Sequence, residues 1–450
     1  MNSVKGFLKK GADKGFLDQV RKEVLKKDKE LNIFVSVPKK FESGGKRGLA
    51  GLPVSVKDCI CTKGLQSTAG SRILEGYIPP FDATVIERVK KEGGVVIGKT
   101  NQDEFGFGTF CTNSGYAVPK NPFDPSRSAG GSSGGSAVAV ASLNFPHISL
   151  AESTGGSISC PASFCGVYGV TPTYGLVSRH GLIDYSNSLD KIGVMGRSAW
   201  DCALGLSVIA GKDGRDQTCV GEKKDYTKIK EIKGKVVGVP KEYFTDNVDE
   251  EVRKLVLDRI NLFEKSGARV EKVSLPNTGL ALPSYYVIAM AESSTNLARF
   301  CGMRYGLHLP LEGGFNEYFS KVRTKGFGEE AKRRILLGTY VRMAGYRDQY
   351  YLKAMKVRTL VINDFKKVFR KCDVLAAPTM PFIAPKFSEI RKLSPAQVYA
   401  ADVLTVAPNL AGVPMMSVPC GKSRGMPVGL HLIADHFKEE ELFGFAGVEV

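Results

Sequence analysis

The stretch Gly130–Ala162 reads GGSSGGSAVAVASLNFPHISLAESTGGSISCPA. Two Gly-Gly-Ser turns, Gly130-Gly131-Ser132 and Gly155-Gly156-Ser157, bracket a run of small apolar residues. A glycine has no Cβ, so its backbone can come close to a bound group. Successive N–H groups in such a turn form a concave nest for an anion. A serine closing the turn is placed as a nucleophile, because the same amides can hold the oxyanion its attack creates. A flexible Gly/Ser linker has similar letters. The run Ala137–Ala141, however, reads as the start of a buried helix, which linkers do not carry.

Upstream, Gly51-Leu52-Pro53-Val54-Ser55-Val56-Lys57-Asp58 is an apolar strand ending in a lysine. On spacing alone Lys57 reads as a solvated tip, with Asp58 as its candidate salt-bridge partner. The functional reading is a buried amine with a lowered pKa, because burial disfavours the ammonium. A neutral lysine can act as base towards a serine, as in the Ser–Lys variants of the serine triad. One serine of the Ser132/Ser133 pair could relay the proton, since a hydroxyl both donates and accepts. No histidine lies in either serine motif; His147 and His180 are near only in sequence. Lys57, the serine pair, Ser157 and the amides of Thr154, Gly155, Gly156 and Ser157 together describe acyl transfer from an amide or ester. A lysine that must be neutral to act predicts a rate that falls as the pH drops.

Between these motifs Thr84–Glu92 reads as a helix, Gly93-Gly94 as its stop and Val95–Ile97 as a strand. The letters GGVVIGKT (93–100) fit a phosphate-loop pattern, but that loop needs its glycines after a strand and before a helix. Here the strand lies inside the pattern, so the reading is rejected. Asn101–Phe110 carries Gly106 and Gly108 and suits a pocket wall. Residues 13–31 place Phe16, Leu17, Val20, Val24 and Leu25 at helical spacing, and Ser43–Gly48 reads as an exposed loop. Further strands are expected at Gly166–Thr173 (strand and turn), Lys235–Pro240, Cys372–Pro378, Met416–Pro419 and Pro427–Ile433. Helices are expected at Ala199–Ile209, Asp249–Lys265, 284–300 and over much of 328–371. Strands alternating with helices argue for an α/β sheet covered on both faces. No repeat or convincing linker appears, which favours a single domain.

The chain has 450 residues, 43% hydrophobic and 24% charged, ordinary values for a protein with a sizeable core. No apolar run reaches membrane-spanning length, and the Lys-rich start lacks a signal core. The net charge of +17 fits an anionic partner such as RNA; a generally lysine-rich composition fits it as well. Ten scattered cysteines form no C-x-x-C pair, and there are only five histidines. That pattern argues against a zinc site or disulfide framework and for a reducing cytoplasm.

GGSSGG (130–135) and TGGSI (154–158), downstream of a lysine ending PVSVKD, resemble the amidase signature family, from about Gly51 to the end of the chain. Within it, GKTNQDEF (98–105), KNPFDPSRSAGGSSGG (120–135), TPTYGLVSRHGLI (171–183), SSTNLARFCGMRYG (293–306), KRRILLGTY (332–340) and APNLAGVPMMSVPCG (407–421) look like the glutaminase (A) subunits of tRNA-dependent amidotransferases. The resemblance implies one large mixed sheet, with residues 1–50 as a helical region packed on a catalytic domain over 51–450. It implies Lys57 as base, Ser132 as bridging serine on a cis peptide, Ser157 as nucleophile, and an oxyanion hole from Thr154, Gly155 and Gly156. It implies glutamine hydrolysis, with Arg334 (or Arg333) reading the α-carboxylate, Asp402 the α-amino group and Tyr286 (or Tyr285) lining the pocket. It also implies B and C partner subunits in a cytoplasmic heterotrimer. The chain itself would bind no cofactor or metal; the B subunit would use ATP and magnesium to activate the misacylated tRNA, Glu-tRNA(Gln) or Asp-tRNA(Asn). A free-standing amidase on small amides and a catalytically weakened scaffold are the alternative readings.

The sequence also departs from the family pattern. The turn usually reads D-T-G-G-S-I-R; here Ser153 and Ser159 replace the acid and the base. Their joint loss reads as removal of one bracing ion pair, because losing one alone would strand a charge. Ser132 and Ser157 stand 25 positions apart, one more than usual. The region before Gly51 looks short, and the chain stops soon after its last strand. A reshaped turn is expected to slow the glutaminase, and shortened ends to weaken partner contacts.

Overall fold

Short apolar strands and amphipathic helices assemble into one eleven-stranded mixed sheet. The computed structural model describes residues 3–42, 45 and 47–448. Of the loop expected at Ser43–Gly48, residues 43, 44 and 46 lie outside that set. The strands are β1 (Phe34–Ser36), β2 (Pro53–Lys57), β3 (Val95–Thr100), β4 (Ile148–Ser153), β5 (Tyr168–Thr171), β6 (Lys191–Gly196), β7 (Val236–Pro240), β8 (Arg269–Val273), β9 (Val374–Pro378), β10 (Met415–Ser423) and β11 (Met426–Ala434). Their spatial order is β1-β3-β2-β4-β6-β5-β10-β11-β9-β7-β8. β2 runs parallel to both β3 and β4, whereas β4 meets β6 antiparallel.

Alternation along β4 sorts its residues to two faces. Ile148 and Leu150 join the core that holds Val54, Val56, Val194 and the helix Ala199–Ile209. Ala151 joins a second core with Val20, Val24, Ile97 and the small-residue helix Gly134–Ser142. Helices therefore cover both faces, as expected of this α/β class. No helix among the described residues is long and apolar enough to cross a membrane.

Four strands escaped the sequence reading: β1, β4, β6 and β8. β4 hides inside the glycine-bracketed run, and only its first residues are strongly apolar. β8 is half exposed and alternates charged with apolar residues. The phosphate-loop letters fall as rejected: Gly98-Lys99-Thr100 lie within β3, and Lys99 is buried, donating to the Ser67 hydroxyl at 2.7 Å. β2, β3 and β4 all end at one edge of the sheet, and that edge carries the site.

Candidate active site

Lys57 closes β2 and is fully buried. Its Nζ donates to Ser132 Oγ at 2.7 Å, to the Glu152 carbonyl at 3.0 Å and to Glu152 Oε2 at 2.9 Å. Ser132 sits just before the helix Gly134–Ser142, and its peptide bond to Gly131 is cis. Ser133 is tied away, its hydroxyl donating to the Glu152 carbonyl at 3.0 Å. Its N–H donates to the carbonyl of Ser157 at 3.2 Å, which brings the two serine turns together. Of the two serines left open by the sequence, Ser132 is therefore the one held by the lysine.

The turn Thr154–Ser157 follows β4. Among the described residues, no acceptor takes the backbone N–H groups of Thr154, Gly155, Gly156 or Ser157. Those four donors are free for an anion. Glycine is required here by space and conformation. A Cβ on Gly155 would run into the Tyr285 hydroxyl, and Gly156 has φ +153° with Thr405 against it. Thr405 Oγ1 also donates to the Gly155 carbonyl at 2.7 Å, fixing the turn from the far side.

Two expectations about Lys57 are corrected. Its charged partner is Glu152, not Asp58; the Asp58 carboxylate instead accepts from the Thr68 N–H and hydroxyl and from the Gly70 N–H. Nor is its pKa lowered. Burial, the largest single effect, pulls it down, but the charge and hydrogen bond of Glu152 together with smaller contributions from Cys59 and Cys111 lift it above the ordinary lysine value. Glu152 continues into a network. The Thr154 hydroxyl lies 2.8 Å from Glu152 Oε1 and 2.7 Å from Asp190 Oδ1. Burial, then the charge of Glu152, pushes the Asp190 carboxyl well above the carboxylate range.

Behind the turn the chemistry changes. Ser153 and Ser159, where the family pattern has an acid and a base, are buried with hydroxyls that meet no partner among the described residues. Lys191 stands opposite Ser153 in register, and its Nζ is equally unpartnered among them. The Glu152–Thr154–Asp190 chain braces this turn instead of an ion pair.

A small cavity opens beside Ser157, lined by Gly106, Gly108, Gly155, Gly156, Tyr285, Tyr286, Arg334 and Asp402. Both candidate tyrosines and the pocket-wall glycines are thus present. Arg334 is buried and Arg333 half exposed. The Arg334 Nε donates to Glu330 at 2.7 Å, and its guanidinium lies 5.0–5.6 Å from the ring centres of Phe107, Tyr185, Tyr286 and Tyr399. Such a cage strengthens the cation's hold through the ring quadrupoles. Asp402 accepts from the Tyr286 hydroxyl at 2.6 Å, and burial pushes its carboxyl up to about 6. Sequence reasoning missed Glu152, Asp190, Glu330 and the aromatic cage. Glu330 carried a signal in its i,i+4 spacing to Arg334, and Glu152 in being an acid at the end of an apolar run.

A buried lysine bonded to a serine, beside a serine turn with free amides, is equipment that suits an amide hydrolase. The chain belongs to the amidase family, whose model matches residues 25–443. It is 54% identical over 398 residues to the A subunit of a glutamyl-tRNA(Gln) amidotransferase from Methanococcoides burtonii, covering 88% of this chain and 83% of that one. It is 47% identical over 427 residues to the same-named protein of Clostridium botulinum, covering 94% and 87%. The crystal structure of the same-named protein from Thermotoga maritima superposes with a TM-score of 0.85 at 37% identity, covering 99% of this chain and 93% of the other.

Proposed function

We propose that this chain is the glutaminase subunit of a glutamyl-tRNA(Gln) amidotransferase, acting in the cytoplasm within a complex with B and C subunits. The observation that carries the reading is the Lys57–Ser132 hydrogen bond beside the free amides of the Ser157 turn, in a chain 54% identical to a protein of that name.

Ser157 Oγ attacks the side-chain amide carbon of glutamine while its proton passes through Ser132 to Lys57. The amides of Thr154, Gly155, Gly156 and Ser157 hold the oxyanion; one such donor is worth roughly 2.7–4 kcal/mol. Collapse releases ammonia and leaves a γ-glutamyl ester on Ser157, which water hydrolyses. Arg334 takes the substrate α-carboxylate as a fork, Asp402 takes the α-ammonium, and Tyr286 walls the pocket. The burial of Arg334 supports it over Arg333 in that role. The ammonia passes to the B subunit, which uses ATP and magnesium to activate the misacylated tRNA; this chain needs no cofactor or metal of its own. Service to Asp-tRNA(Asn) depends on the partner subunit.

The test is amidation of Glu-tRNA(Gln) by the reconstituted complex, with glutamine or ammonium as nitrogen source. Ser157→Ala should abolish the glutamine route and spare the ammonium route. Loss of both, or of neither, would contradict the assignment. Turnover of simple amides far above glutamine would point to a free-standing amidase.

A further inference from the structure

The Lys57 ammonium has three N–H bonds and all three are spent, on Ser132 Oγ, the Glu152 carbonyl and Glu152 Oε2. A base needs a lone pair directed at the proton it takes. The amine can offer one to Ser132 only after losing a proton to a neighbour. Water does not reach this cage, since Lys57 and Ser132 are fully buried. A backbone carbonyl cannot keep a proton, and Ser132 must give one rather than take it. That leaves one acceptor, the Glu152 carboxylate at 2.9 Å.

We propose that Glu152 is the reservoir that takes the proton of Lys57 and so makes the buried lysine a base. The inference rests on the Ser–Ser–Lys reading above, but not on the identity of the tRNA. Glu152 acts through Lys57 and is a positioning residue rather than a group that touches substrate. The proton moves from Nζ to Oε2, turning the ammonium–carboxylate pair into an amine–carboxylic acid pair. The amine then turns about its Cε–Nζ bond so that the lone pair faces Ser132. It takes the Ser132 proton as Ser132 takes that of Ser157 and the Ser157 Oγ–carbon bond forms. When the carbon–nitrogen bond breaks, the leaving nitrogen takes this proton back through Ser132 and departs as ammonia. Deacylation repeats the sequence with water as the nucleophile. The pair returns to its ionic form when the product is released.

The other oxygen of Glu152 supports this role. The Thr154 hydroxyl lies within hydrogen-bond distance of carboxyl oxygens of both Glu152 and Asp190, yet it has a single proton. One of the two carboxyls must therefore donate to it. Burial and the charge of Glu152 push the Asp190 carboxyl up, outweighing the N–H groups of Tyr185 and Ser186 that its other oxygen accepts, so Asp190 is the donor. A proton on Asp190 gives the Thr154 hydroxyl its second partner, so that its own proton is directed at Glu152 Oε1. The remaining ionisable groups facing the pair are Lys191, Cys59, Cys111 and Asp103. Burial holds the two thiols neutral by raising them well above their usual value.

A pair that shares one proton keeps a constant protonation state between its two macroscopic pKa values. The expected signature is therefore a rate nearly independent of pH, in place of the falling acid limb that a lone neutral lysine predicts. The experiment measures phosphonylation of Ser157 by a fluorophosphonate in the full chain, from about pH 5 to about pH 10. This readout needs neither glutamine nor tRNA. The wild type should give a flat profile across neutral pH. Glu152→Gln keeps the shape but cannot take a proton, so Lys57 titrates alone and the rate should climb about tenfold per pH unit along one limb. Glu152→Asp should keep the flat profile at a lower rate. Matching profiles for Glu152→Gln and the wild type would overturn the proposal. If Glu152→Gln fails to fold, a wild-type profile with a tenfold-per-unit limb through neutral pH overturns it equally. No labelling of Ser157 in the wild type at any pH would instead remove the Ser–Ser–Lys reading, while normal labelling without tRNA amidation would remove only the tRNA assignment.

Discussion

Strand β4 sends successive residues to opposite faces, and each stands beside a buried lysine. Glu152 meets Lys57 at 2.9 Å, and the lysine pKa rises above its ordinary value. Ser153 stands opposite Lys191 and meets nothing among the described residues; burial, then repulsion from Arg358, pulls that lysine down to about 7. The side chain is the same and the burial nearly so, yet the electrostatics are opposite. Both lysines feel nearby carboxylates. What differs is that Lys57 is in direct contact with one, whose charge and hydrogen bond help offset the desolvation both share, whereas Lys191 has no such contact and is repelled by Arg358. One lysine is held in a working cage. The other has no partner for its Nζ among the described residues.

The largest effect that would test this contrast is on the partnered side. Lys57→Met should lower glutamine turnover by about 10³-fold or more. It should also cost roughly 3 kcal/mol of stability, because the Glu152 carboxylate is left buried without its counter-ion. Ammonia release and urea unfolding read the two effects. A variant as stable as the wild type would mean that the pair contributes nothing to the fold.

On the unpartnered side the sign reverses. The folded-state pKa of Lys191 lies near 7, below its ordinary 10.5. Between those values the unfolded chain holds a proton that the folded chain lacks, so stability rises with pH across that window. Below it, the folded chain carries the full cost of a buried, unpaired ammonium. Lys191→Met should therefore gain on the order of 1 kcal/mol at pH 6, with the gain shrinking towards pH 9. Thermal unfolding of variant and wild type at both pH values checks the trend. A gain that grows with pH would contradict it.

The smallest expected effect lies in the substrate pocket, where Asp402 is a buried acid with no cation as close as Lys57 is to Glu152. Burial pushes its carboxyl up to about 6. Protonation removes the charge that would hold an α-ammonium, so KM for glutamine should rise as the pH falls through that value while kcat changes little. Asp402→Asn should give a high KM that no longer varies with pH. Steady-state kinetics distinguish these outcomes.

Much of this was legible in the sequence. Lys57, Ser132 and Ser157 were visible because glycine turns and a strand-end lysine have local signatures, and the structure gathers them at one sheet edge. The lysine's electrostatics were not visible. Glu152 lies 95 positions from Lys57, and only the parallel pairing of β2 with β4 brings them together. Asp58, the neighbour in sequence, was the natural but mistaken partner. The same holds for Arg334, whose motif was readable but whose aromatic cage draws on residues from 107 to 399. Strand β4 was missed because its decisive end, Glu152-Ser153, is polar.

The measurement that bears most directly on the account is capture of the acyl-enzyme. The complete complex would be mixed with isotopically labelled glutamine, quenched in acid within a turnover and digested for peptide mass mapping. The account predicts a γ-glutamyl ester on Ser157 that disappears in Ser157→Ala. Ammonia release without any adduct, or an adduct on another residue such as Ser132, would contradict it.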